Sequence, residues 1–292
     1  MTGAPPAATS GDSWLSGWLS GERPVLDRVL VRNDQSAWSE GFRSEFAYRE
    51  LGLVKASHGL ICARHVRRVG RGAIGYGWHC HDADFQFNFA LRGSTVVETD
   101  HGARHHVGPG DSVAQPGLYR VREFDFSEDF ECIQITVPAE QGPTIMGRDA
   151  PLPARANELD PDRRSVYCAA GSSNPVLEPS GAPAVSRRDL GSRDLTNGRI
   201  SLTLVEAHQA RPGVSAYRSA ADWLLVLAGS ARVNDGDGAP PTSLAPLDAL
   251  AFGSPASAQR TIDFDRPDFM ALELVLPPGH SPAAGHRPPD QG

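Results

Sequence analysis

The 292-residue chain is 40% hydrophobic and 22% charged, with 35 acidic against 28 basic residues and a formal net charge of −7. That length accommodates two ordinary domains, each with its own core, and the acidic balance argues against nucleic acid, whose binding needs a basic stripe to displace phosphate counterions. No apolar run approaches the roughly 18 residues of a membrane helix, so the expected partner is a small organic molecule and not a membrane.

In chain order, residues 1–12 are mostly Ala, Pro, Gly, Ser and Thr. They lack the basic start and apolar stretch of a secretion signal and are expected to form a disordered lead. Over Ser13 to Ser20 a doubled Trp-Leu-Ser-Gly unit puts Trp14, Leu15, Trp18 and Leu19 on one face of a short helix. Such a segment would cap a barrel or contact a second subunit.

Strands dominate from there on. Leu60 to Val69, His79 to Leu91, Ser94 to Thr99, Ser112 to Gln115 and Glu131 to Val137 are short runs rich in β-branched and aromatic residues. Turns such as Gly108 to Asp111 punctuate them.

His79-Cys80-His81 carries the main chemical signal. Alternate residues of a strand share a face, so both imidazoles point one way and Cys80 the other. With Gln86 shortly after, these are the beginnings of a metal site. Phe85, Phe87 and Phe89 alternate with Gln86 and Asn88, so the aromatic face is expected between sheets and the polar face in a cavity. Further on, Tyr119, Val121 and Glu123 share one face and Arg120 and Arg122 the other. The expected pocket is lined by Trp78, Asn88, Tyr119 and Val121. His101, His105 and His106 fall on a hairpin tip and are expected to be solvated.

Residues 139–185 are rich in Pro, Ala, Ser and Arg with little alternation, the composition of an inter-domain linker. Residues 278–292 hold no core-forming pattern and are expected to be a disordered tail. Cys62, Cys80, Cys132 and Cys168 show no paired spacing, which fits a reducing, cytoplasmic setting.

The chain also repeats itself. Arg49-Glu50-Leu51-Gly52 recurs as Arg188-Asp189-Leu190-Gly191, and Gly59 after the first is matched by Gly198 after the second. Ala90-Leu91-Arg92-Gly93-Ser94 recurs as Val226-Leu227-Ala228-Gly229-Ser230 at almost the same separation. The order of matches is kept, so residues 13–138 and 186–277 are expected to be two copies of one unit.

The spacing of His79, His81, Gln86 and Gly93 resembles the first motif of the cupin superfamily, with an amide where that motif has a carboxylate. In the second motif Gly110 and Pro116 fit, while the histidine position falls on Val121 and the asparagine position on Asp125. Tyr48 to Gly52, Trp78 to Gln86 and Gly110 to Pro116 also resemble an uncharacterised branch of small cupins. The resemblance implies an all-β protein of two tandem jelly-roll barrels, a bicupin, with its pocket inside the first barrel.

For the site, the resemblance implies one divalent metal, iron first, with zinc, nickel, manganese or copper as alternatives. Its ligands would be His79, His81 and Gln86, with Glu123 as a substitute carboxylate. Without that carboxylate the ion has no anionic protein ligand. In the second copy the positions of His79, His81 and Gln86 fall on Ser215, Tyr217 and Asp222, so a degenerate, metal-free, structural barrel is expected there.

Three functions stay open. One is a metal-dependent oxygenase or dioxygenase. The second is a metal-independent isomerase, cyclase or lyase in which His79 and His81 move protons. The third is a non-catalytic binding bicupin. A homodimer is expected, since cupins commonly pair through sheet edges.

Overall fold

The computed structural model describes residues 24–41, 43–141, 144–158, 162–170, 185–207, 215–236, 239–253 and 260–276. The lead, the Trp14 to Leu19 segment and the tail lie outside the described residues. No described helix is long and apolar enough to cross a membrane.

The chain is all-β, and its described residues form four antiparallel sheets. In the first half a seven-stranded sheet runs, in spatial order, Val166–Cys168, Ser112–Pro116, Phe85–Arg92, Glu131–Val137, Cys62–Arg68, Phe46–Glu50 and Ser39–Glu40. It is closed by a five-stranded sheet of Thr144–Met146, Gly75–His81, Val121–Phe124, Thr95–Thr99 and Arg104–Val107. The second half repeats the plan with a six-stranded and a four-stranded sheet.

The sequence repeat is a repeat of hydrogen bonds. Ser57 Oγ donates to Leu53 O at 2.6 Å and accepts from Ile61 N at 2.8 Å. At the matching positions of the second copy, Thr196 Oγ1 donates to Ser192 O at 2.9 Å and accepts from Ile200 N at 3.0 Å. Gly93 and Gly229 occupy equivalent turns at φ +63° and +71°, a conformation that costs a glycine little. A Cβ at Gly93 would also meet Ser127 Oγ at 2.1 Å.

Alternation along Phe85–Arg92 sends Phe85, Phe87 and Phe89 to one face, where all are buried. They do not fill the first barrel. They join Ile133 and Ile135 in a core shared with Leu202, Leu204, Trp223, Leu225, Leu272 and Leu274 of the second half. The two larger sheets therefore pack face to face, and each enclosed phenylalanine contributes about 2 to 3 kcal/mol of hydrophobic stabilisation. The other face of the strand, with Gln86 and Asn88, is left for the interior of the first barrel.

The halves also exchange arms. Val29–Val31, inside the segment expected in the first unit, pairs with Ala249–Ala251 of the second. Val166–Cys168, inside the expected linker, pairs with Ser112 to Ala114 of the first. Asn33 N donates to Asp248 Oδ1 at 2.8 Å, and at the corresponding place on the other arm Ala170 N donates to Asp111 Oδ1 at 2.7 Å. Thr144–Met146, also from the expected linker, adds an edge strand beside the histidine strand. Strands this short cannot display a period of two, which is why residues 139–185 look like a plain connection.

Candidate functional site

The interior of the first barrel holds a cavity of about 70 Å3 that opens to solvent. Phe46, Val66, Phe126 and Phe130 form its apolar wall, and Arg43, His81, Gln86, Asn88, Gln115, Glu123 and Gln134 supply polar groups.

His79 and His81 project to the same side of Gly75–His81, their ring centroids 5.1 Å apart, while Cys80 is buried. His79 is fully enclosed, and its Nδ1 lies 2.8 Å from Gly77 O. That contact requires Nδ1–H, which leaves the Nε2 lone pair facing the barrel. The lone pair accepts from Arg43 Nη2 at 3.4 Å. Arg43 Nη1 is 3.6 Å from Glu123 Oε2, which is itself 3.9 Å from His79 Nε2. The guanidinium also stacks on Tyr76, 3.5 Å from the ring centre.

His81 lines the cavity with its Nδ1 3.4 Å from Thr144 Oγ1. Burial, aided by His79 and the Arg43 charge, pushes its pKa down to about 3, so the ring is neutral across the physiological range. Tyr48, on the same wall, is pushed up to about 12 by burial and keeps its proton.

Gln86 and Gln115 are directly opposed on neighbouring strands, and both are buried. Gln86 Oε1 and Gln115 Nε2 have no hydrogen-bond partner within the protein. Asn88 is better satisfied, its Oδ1 accepting from Gln134 Nε2 at 3.4 Å.

Four of the expected site residues, His81, Gln86, Asn88 and Glu123, thus meet at the cavity, with His79 behind Arg43. Trp78 does not line it. Alternation turns Trp78 away from the histidines, toward Arg122 and Arg148 at 5.3 and 4.8 Å. Tyr119 and Val121 also stand outside the lining, packed with Val97, Val107 and Val113 in an apolar cluster. His101 is exposed on its hairpin tip, with its Nδ1 3.1 Å from the Tyr119 hydroxyl. Val121 is nonetheless opposite His79 across the strands, where the resemblance places a histidine.

Arg43, Gln115 and Gln134 carry no mark in the sequence reading. Gln115 sits in the Gly110 to Pro116 phrase, and its alternation with Ala114 is the signal that finds it. Arg43 lies in a turn, and no local pattern marks it.

As arranged, the donors do not fit a divalent ion. The two groups best placed to share one, His79 Nε2 and Glu123 Oε2, both face a guanidinium that already supplies a positive charge. A second cation there would be repelled. Among the described residues no three His, Cys, Asp or Glu side chains converge as a metal would need.

Among the described residues, the second barrel packs an apolar cluster of its own side chains. Tyr217, at the position of His81, is buried with Leu224, Val226, Ile262, Phe264 and Phe269. Its hydroxyl is pushed well above the ordinary range by burial first and Glu273 second. Glu273 accepts from Arg187 Nη1 at 2.9 Å and Ser219 Oγ at 2.6 Å, and Asp222 accepts from Leu276 N at 2.7 Å. These polar groups are spent on the fold.

No protein-family model matches the chain, and no curated protein matches it. Solved structures do. An oxalate decarboxylase, from a structure on its substrate binding mode and reaction specificity, superposes with a TM-score of 0.59 at 12% identity, covering 89% of this chain and 80% of that one. A Bacillus subtilis oxalate decarboxylase gives 0.58 at 13% identity, covering 95% and 87%. Procruciferin, an 11S globulin from Brassica napus, gives 0.57 at 12% identity, covering 86% and 84%. At such identities the likeness shows the fold. The chain has the bicupin fold, two cupin barrels in tandem. The metal named among these neighbours is Mn(II), in the Bacillus subtilis decarboxylase, and not the iron ranked first from the sequence.

Proposed function

We propose that the first barrel binds and transforms a small organic molecule by metal-independent acid–base chemistry, of the isomerase, cyclase or lyase kind. The second barrel is its structural partner. One observation carries the choice over the oxygenase: Arg43 fills the corner between His79 and Glu123. Glu123, an anion beside Arg43 and on the cavity wall, is the group that takes a proton from the bound molecule. His81 is neutral and presents a ring nitrogen for hydrogen bonding to the group whose charge changes. His79 orients Arg43 and does not reach the molecule. Gln86, Asn88 and Gln115 orient the ligand. A reducing, cytoplasmic setting is part of the proposal, supported by four free cysteines of which three are buried.

The test is an untargeted mass-spectrometric screen in which the full chain is incubated with a mixture of small metabolites, with and without EDTA. The proposal predicts one compound consumed equally in both arms and left intact by Glu123→Gln. Consumption abolished by EDTA and restored by Mn(II) or Fe(II) would overturn it.

A further inference from the structure

Gln86 and Gln115 offer more than general polarity. They sit opposite one another on adjacent strands, on the face that lines the cavity. They are 5% and 3% exposed, so water does not serve them freely. One buried acceptor, Gln86 Oε1, and one buried donor, Gln115 Nε2, are unpartnered. Turning both amides over exchanges the roles and still leaves a donor beside an acceptor. Both atoms lack a protein partner and line the cavity, so whatever occupies it, water or a ligand that displaces water, pairs them.

The rest of the lining narrows what that is. Arg43 and Glu123 lie 3.6 Å apart and offset one another, so the pocket favours a neutral guest. Phe46, Phe126 and Phe130 stand edge to face, with centroids 5.1 to 6.4 Å apart, and form an aromatic wall suited to a ring.

We infer that the cavity takes a neutral ring bearing a cis-amide edge, an N–H beside a C=O as in a lactam, pyridone or cyclic imide. The ring N–H donates to Gln86 Oε1, the ring C=O accepts from Gln115 Nε2, and the ring face lies on the phenylalanines. This rests on the reading of the first barrel as a small-molecule site and names the class of molecule. A site whose buried polar groups need both partners discriminates strongly against an analogue lacking one.

The experiment is calorimetry on the full chain with four probes: 2-pyridone, N-methyl-2-pyridone, cyclohexanone and benzoate. The expected result is saturable binding of 2-pyridone, at least tenfold weaker binding of the N-methyl compound, and loss of that difference in Gln86→Leu. The ligand-side comparison needs no variant, so it stands even if Gln86→Leu does not fold. Equal affinity for the two pyridones overturns the inference. Preferential binding of cyclohexanone or benzoate overturns it and leaves the small-molecule reading intact. If none of the four binds, the inference fails, and the metabolite screen decides the small-molecule reading separately.

Discussion

Trp223 donates its indole N–H to the carbonyl oxygen of Leu51 at 3.1 Å, across the boundary between the two barrels. Both residues are buried in the shared core, so the bond is shielded from water. Trp223→Phe keeps most of the apolar surface and removes the donor. Leaving a buried carbonyl with one partner fewer costs about 1 to 3 kcal/mol. Thermal unfolding is expected to show a lower Tm for both barrels together, because the bond ties one to the other. An unchanged Tm would mean the barrels do not depend on this contact.

The exchanged arms give a second expectation. Asp248 holds Asn33 N and Ala245 N at 2.8 and 2.9 Å and Arg32 Nη1 at 2.8 Å. Burial opposes its ionisation, but those three donors outweigh it and hold the carboxyl below the usual carboxylate range. A depressed carboxyl stabilises the fold above its unfolded pKa and loses that contribution as pH falls through the folded value. Asp248→Asn is therefore expected to destabilise the chain at pH 7 by about 1 to 3 kcal/mol, with the gap closing below about pH 4. Urea unfolding at pH 7 and pH 3.5 measures it, and a gap that widens in acid would contradict the assignment.

His81 makes the opposite kind of prediction. Its folded pKa, near 3, lies below the ordinary histidine value, so between the two the unfolded chain binds a proton that the folded chain refuses. Stability from the neutral ring is complete above the ordinary value and drains away as pH falls, by up to about 1.4 kcal/mol per pH unit. Wild type and His81→Asn compared at pH 7.5 and pH 5 are expected to differ, with the variant gaining relative stability in acid. Parallel pH profiles would show that His81 titrates normally.

Much of this is legible from residue order. The duplicated Gly93 and Gly229 turns, the shared face of His79 and His81, and the inward Gln86 and Asn88 follow from alternation and repetition, which are local properties. Nearness to His79 suggests a pocket position for Trp78, yet alternation alone turns it outward. Tyr119 lies before the strand and a bulge separates Val121 from Glu123, so simple alternation fails here. Both pack behind Val97, Val107 and Val113, which line the cavity instead. Arg43 is not legible. Its partners come from two strands much later in the chain, and only the closed barrel brings His79 and Glu123 to one guanidinium. The phenylalanine strip belongs to a sheet interface on pattern alone, but which sheet it meets depends on how the halves dock.

Cobalt(II) titration followed by visible absorption, on wild type and Arg43→Ser, bears most directly on the chemistry of the first barrel. With the guanidinium in place, wild type is predicted to take up no Co(II) at micromolar concentration. Arg43→Ser, which frees His79 Nε2 and Glu123 to share an ion, is predicted to bind about one equivalent and to lose it on adding His79→Ala. One tightly held equivalent in wild type, removed by His79→Ala or His81→Ala, would contradict the account and return the barrel to metal chemistry.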